Sequence, residues 1–383
     1  MLLPIRFMPV AIGALLLFSC GSGSDDQTDS SAQAGNGIPD GPEISYEHLL
    51  DITDSEDVMF NRISDLRVTS EGDILIMDAG SAQAHLFDAD GNYLNSGIGE
   101  GAGPGEARFP AGHLGMNEND EFVMHSQGLR RMSVYRIENR EITPLTDIST
   151  SRFPAGYSLQ PDGSILLFER ASTNPDGEST ERISLMDREG DIVRDAYITF
   201  PASEALRVTN PDGLTMLTFT TPNNSSSKVV FHGDTMVMIN QAELGFRRYS
   251  LKTGELLTEV SIDTPDLPVT REENREFLES IMGALELSSS QVTDLLGQMP
   301  EVRGKLMDVR YDPAGYVWIK LLPHDEEDPK LEWLVFTEEG EFTGRMIQGE
   351  QGNILRVENG IIYLRMDDED ELPMVRVLRT DLL

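Results

Sequence analysis

An all-β chain built as a six-bladed β-propeller is what this sequence predicts, and three observations carry the prediction. Short apolar runs recur between Asp-Gly or Glu-Gly turns, as in Ile74-Leu75-Ile76-Met77 and His85-Leu86-Phe87, set off by Glu71-Gly72 and Asp90-Gly91; glycine supplies the positive φ that a tight hairpin connection needs. The pentapeptide Arg108-Phe109-Pro110-Ala111-Gly112 returns unchanged as Arg152-Phe153-Pro154-Ala155-Gly156, 44 residues later, and a period of roughly forty with four strands per unit is the mark of a propeller blade. The run from Ile44 to Ile52 reads as a strand with no hairpin partner nearby, which fits a strand that closes the ring by completing the sheet begun at the C-terminal end.

Taken in order, blade one spans about Ile63 to Ile98, and blade two about Phe109 to Leu145 with Val134-Tyr135-Arg136-Ile137 as its third strand. Blade three starts at Phe153 and turns at Asp162-Gly163 and Glu189-Gly190. Blade four is interrupted around Glu204 to Gly213 and by the polar run Thr220 to Ser227. It resumes at Val229-Val230-Phe231 and Met236-Val237-Met238 and ends at the turn Thr253-Gly254. Blade five holds Met307 to Arg310, Val317-Trp318-Ile319 and Leu334-Val335-Phe336, with Trp318 expected in the core between blades. Blade six holds Leu355 to Val357, Ile361 to Leu364 and Val375 to Leu378.

One segment, about 268–300, breaks the β pattern. Thr270-Arg271-Glu272-Glu273 and Ser288 to Gln291 both have capping-box spacing. Phe277, Leu278, Ile281, Met282 and Leu285 follow the first, Val292, Leu295, Leu296 and Met299 the second, each at helical spacing, until Pro300. A helical hairpin inserted between blades four and five is expected. It should stand over the face to which each blade's outer strand returns, as a brace or as a lid.

The first twenty residues lie outside this body. Arg6 precedes the apolar run Val10 to Phe18, too short to span a bilayer, and Leu17-Phe18-Ser19-Cys20 ends it, so 1–20 reads as an export signal. It resembles a bacterial lipoprotein signal, with Cys20 the lipidated residue. Cys20 is the sole cysteine, which excludes an intrachain disulfide and a cysteine nucleophile in the body. Residues 21–42, rich in Gly, Ser, Asp and Gln, read as a flexible linker, leaving 43–383 for the propeller. The expected place is the bacterial cell envelope, lipid-anchored to the outer membrane and either periplasmic or surface-exposed. Acidic residues outnumber basic ones 66 to 30, for a net charge of −36. Such a charge repels nucleic acid and anionic headgroups, so nucleic-acid binding is excluded and membrane association is left to the anchor.

The sequence resembles the six-bladed propeller lipoproteins of bacteria, related to the NHL-repeat and TolB-like propellers. Gly99-Glu100-Gly101-Ala102-Gly103-Pro104-Gly105-Glu106 followed by Phe109-Pro110 looks like the junction between two NHL blades, although later blades lack it. The resemblance implies a binding scaffold in most cases and a lactonase, lyase or esterase in some, so the fold alone does not decide function.

For chemistry, the glycine run lacks the Lys-Ser/Thr ending of a phosphate loop, and the body has neither a His-Glu-x-x-His pair nor a nucleophile elbow. No catalytic residue and no metal ligand is assigned. Asp65, Asp78 and Asp308 sit beside strands, where capping turns is the expected duty. Loops between second and third strands share a face with the blade junctions and offer His125, Gln127, Arg130, Arg131, Glu169, Arg170, Asn240 and His324 as candidate ligand-binding residues. Arginines among them suit a carboxylate or an anionic sugar, or else pair with nearby acids. Asp325-Glu326-Glu327-Asp328 reads as a solvated acidic loop without the spacing of a Ca²⁺ loop. Two functions follow as expectations: a monomeric, non-catalytic binding module without cofactor, for a glycan, peptide or protein, or a metal-dependent lactonase or esterase with Ca²⁺ in the pore.

Overall fold

A computed structural model describes residues 37–173, 179–209, 215–219, 221, 223–282, 288–323 and 330–382. Among them, strands form six four-stranded antiparallel sheets and one separate two-stranded hairpin. Each sheet is one blade of a propeller. The innermost strands are Ile63–Val68, Gly115–Met116, Gly156–Leu159, Ser227–His232, Leu306–Asp312 and Asn353–Glu358 for blades one to six.

The ring closes as the unpartnered N-terminal strand predicts. Tyr46–Ile52 pairs antiparallel with Pro373–Thr380 and is the outermost strand of blade six. Ile52 is buried there, and Arg376 grips Asp51 through two hydrogen bonds of 2.8 and 2.9 Å. Just upstream, the backbone of Pro42 and Ile44 bonds to Arg345 on the outer strand of blade five, so the chain runs along blade five before it enters blade six.

Six apolar clusters fill the six gaps between successive blades. This explains why the second strands read as unbroken apolar runs. Side chains alternate across a strand, and both faces of each blade are covered. Ile74 and Ile76 pack toward blade six, while Leu75 and Met77 pack toward blade two. Trp318 enters the gap to blade six and its neighbours Val317 and Ile319 the gap to blade four.

The insert between blades four and five is helical, with α1 at Arg271–Met282 and α2 at Ser289–Leu296. Both capping boxes form: Thr270 with Glu273, and Ser288 with Gln291. Leu285 lies outside the described residues. The segment that interrupts blade four folds as the extra hairpin, Leu206–Thr209 with Thr215–Phe219. The segment thus interrupts blade four as expected, standing outside its four-stranded sheet. Leu206 and Val208 of the hairpin pack on Leu278, Leu295 and Met299 of the insert, and Gln298 bonds both backbone groups of Arg207. The insert springs from the face of the second-to-third-strand loops, since Lys305 N donates to Gln241 O at its base.

Candidate ligand-binding channel

The innermost strands of all six blades surround an axial cavity of about 620 Å³. An innermost strand has a partner on one side only, so half of its backbone N–H and C=O groups face the channel and need other partners. In blades one and five the sequence answers with the same device. An acid and an arginine two residues apart stand on one side of the strand, beside a bulge in each case.

In blade one Asp65 Oδ1 accepts from Leu66 N (2.8 Å) and Arg67 Nη1 (2.7 Å), and Arg67 Nη1 donates to Leu66 O (2.7 Å). The pair thus clips the backbone of the residue between them. It also stitches blade one to blade two: Asp65 Oδ2 accepts from Leu114 N (2.7 Å), His113 Nδ1 stands 3.1 Å from it, and Arg67 Nη2 donates to Leu114 O. In blade five Asp308 accepts from Val309 N (2.9 Å) and pairs with Arg310 (2.8 Å), whose Nε donates to Ile354 O of blade six (2.7 Å). Blade six carries the reverse order, Arg356 with Glu358 at 2.6 Å.

Burial alone would push the carboxyls of Asp65 and Asp308 up. Arg67 and His113 reverse this for Asp65, and Arg310 and Lys228 for Asp308, so both are held below the usual carboxylate range. These two aspartates are therefore not turn caps, as their position beside strands had suggested. Asp78 is one: its oxygens accept from the N–H groups of Asn61, Arg62 and Gly80 and from Ser81 Oγ.

The face expected to carry the loops is confirmed by hydrogen bonds between the two loop sets, such as Ala111 N to His125 O (2.9 Å) and Leu322 N to Lys305 O (2.9 Å). The candidate residues on it are not gathered into one site. Arg170 lines the channel mouth. His125 is fully buried beneath Phe153, ring centroids 6.0 Å apart, and both ring nitrogens lack hydrogen-bond partners. Gln127 and Arg130 are exposed on the short loop that follows, Arg130 with φ of 52° and 5.9 Å from the Phe153 ring.

Arg131 pairs with Asp147 and donates to the carbonyls of Gly103 and Glu106, clamping the glycine-rich junction. Within that junction Gly105 is required sterically: at φ of 71°, a Cβ there would sit 2.7 Å from Pro144 Cβ. Glu169 is buried against Arg152, Arg182 and Ser184, and Asn240 accepts from Ser225 Oγ and Ala242 N. His324 and Asp325 to Asp328 lie outside the described residues. The repeated pentapeptide leaves Phe109 and Phe153 exposed at equivalent positions of neighbouring junctions.

Of the channel's own residues the sequence reading singled out Arg170 as a candidate and Asp65 and Asp308 only as turn caps, and it passed over the rest. Asp65, Arg67, Asp308, Arg310, Arg356 and Glu358 are charges inside otherwise apolar strands. Pairs of opposite charge at spacing two stand on the axis-facing strand in three of the six blades, but Arg136 with Glu138 and Arg365 with Asp367 have the same spacing on other strands, so the spacing alone does not single out the channel.

Fold and cavity together define a six-bladed β-propeller with a charged axial channel. No family model matches the chain, and no curated protein matches it in sequence. Among solved structures it is similar to a candidate exported protein of Bacteroides fragilis, at 12% identity over 88% of this chain and 94% of that one, with a TM-score of 0.55. It is likewise similar to a member of the DUF4221 family from Bacteroides vulgatus, at 11% identity over 88% of this chain and 98% of that one, with a TM-score of 0.51.

Proposed function

We propose that this protein is an exported, envelope-anchored propeller that binds a small polar ligand in its axial channel without transforming it. The observation that carries the reading is the cavity itself. Its volume of about 620 Å³ falls within the range of small-molecule sites, and it is lined by polar groups from every blade. Two of the channel's acids are engaged in holding the ring together. Asp65 and Asp308 turn their oxygens to arginines and backbone N–H groups, which a Ca²⁺ ion would have to displace against the surrounding positive charge. That donor set does not fit the Ca²⁺-dependent hydrolase.

Soaking crystals in a library of small polar fragments tests the reading. Fragments are expected in the channel; occupancy confined to the outer surface, for example over Phe109 and Phe153, would sink it. Export and anchoring rest on the apolar run ending at Cys20 and on the description of the Bacteroides fragilis neighbour. Expressed in a bacterial host with radiolabelled palmitate, the wild type should take up label in the membrane fraction and Cys20→Ala should not. Labelling that survives the substitution would remove the anchor.

A further inference from the structure

The chain has 30 basic residues against 66 acidic ones, and five of the thirty are lysines. Against that background the channel wall is comparatively rich in cations, with five arginines and lysines against five acids. Arg67, Arg310 and Arg356 each have an acid two residues away on the same strand. Setting those pairs aside leaves Lys228 of blade four and Arg170 of blade three at one end, and Glu118 and Asp120, in the turn that follows blade two's innermost strand, at the other.

Lys228 is poorly matched. Its Nζ stands 3.9 Å from Asp308 Oδ1, an oxygen already bonded by Arg310 and Val309 N. Among the described residues Nζ makes no hydrogen bond. Asp308 also faces Lys320, its cross-strand neighbour, so one carboxylate answers three cations. Arg170 Nε lies 4.0 Å from Glu181 Oε1, an oxygen that accepts from Ser203 Oγ at 2.5 Å. Burial lowers the proton affinity of Lys228, Asp308 opposes that, and Arg310 and Arg170 lower it further. Ser203 Oγ, which donates to Glu181, also accepts from Ser227 N at 3.0 Å, so Arg170 and Lys228 flank one short hydrogen-bonded chain on the cavity wall.

A concave wall with two such cations concentrates anions. We propose, resting on the channel as the ligand site, that Lys228 and Arg170 together seat the carboxylate of a small acidic ligand. The lysine supplies three donors on a flexible stem and the arginine a planar fork that matches a carboxylate. Asp308 and Glu181 flank the spot, so beyond the one carboxylate the ligand must offer donors or uncharged groups there rather than further anionic oxygens.

The test is anomalous diffraction from crystals of residues 37–383 soaked in sodium bromide, with sodium formate and sodium phosphate as competitors. Bromide is expected in contact with Lys228 Nζ and Arg170, displaced by formate more readily than by phosphate. Lys228→Met should empty the spot, Lys228→Arg should retain it, and Lys252→Met, an exposed lysine paired with Asp234, should leave it unchanged. A peak that persists in Lys228→Met is an adventitious ion only and overturns the inference, as does bromide found only on the outer surface. Stronger displacement by phosphate would overturn the carboxylate assignment. Should fragments enter the channel while bromide avoids Lys228, the channel reading stands and this inference alone falls; if neither enters, both fall. Circular dichroism melts of each variant separate lost binding from lost folding.

Discussion

Asp312, the last residue of blade five's innermost strand, holds Gly360 in the first turn of blade six. Its Oδ2 accepts from Gly360 N at 2.9 Å and its Oδ1 from Asn359 N at 2.6 Å and Ala314 N at 3.0 Å, with the side chain fully buried. One carboxylate thus fixes the angle between two blades. Asp312→Ala strands a buried Gly360 N–H and removes charge-assisted bonds, so the stability measured by urea unfolding should fall by about 3 kcal/mol. A loss under about 1 kcal/mol would mean that water replaces the carboxylate there.

The Asp65 and Arg67 clip makes a second prediction. Arg67→Ala leaves Asp65 buried beside an empty space and should cost about 3 to 5 kcal/mol. The double variant Asp65→Asn with Arg67→Met should lose less than the sum of its single variants, by about 2 kcal/mol. Additive losses would show that the two side chains act separately.

Acid sensitivity follows from the buried histidines. Burial pushes His85, His125 and His232 below the ordinary histidine value of 6.5. Each is neutral in the fold, while the unfolded chain binds protons below 6.5. Their contribution is therefore complete above that pH and lost as pH falls through 6.5 toward the folded-state values. His125→Phe should hold stability at pH 7.5 within about 1 kcal/mol, because the ring nitrogens it removes have no partners. Its urea midpoint should also fall less than that of the wild type between pH 7 and pH 5. Parallel pH profiles would show that His125 is not one of the acid-sensitive groups.

Ring closure is testable by truncation. A chain beginning at residue 53 lacks Tyr46–Ile52 and exposes Pro373–Thr380 as a bare edge, which invites pairing with other chains. It should elute as aggregate and melt without a cooperative transition, whereas a chain beginning at residue 37 should melt like the wild type. A monomeric, cooperative chain from residue 53 would show that three strands suffice for blade six.

The blades were legible because a sheet covered on both faces writes an uninterrupted apolar run between turns, as Ile165-Leu166-Leu167-Phe168 does. The helices were legible because capping boxes are local chemistry. The channel was not. Asp65, Lys228, Asp308 and Arg356 are scattered over the chain and meet only because each sits on the strand nearest the axis, and nothing within any one blade announces that convergence. His125 was misplaced for a related reason. A polar residue at a strand end reads as a rim residue, but here Phe153 of the next junction covers it.

The seam of blade six also sets a timetable for synthesis. Asp51 and Arg376, which meet across it, are 325 positions apart. Tyr46–Ile52 therefore leaves the ribosome long before its partner exists and must wait unpaired. Its polar residues Glu47, His48 and Asp51 suit it to that interval, since charge discourages premature pairing with a neighbouring nascent chain.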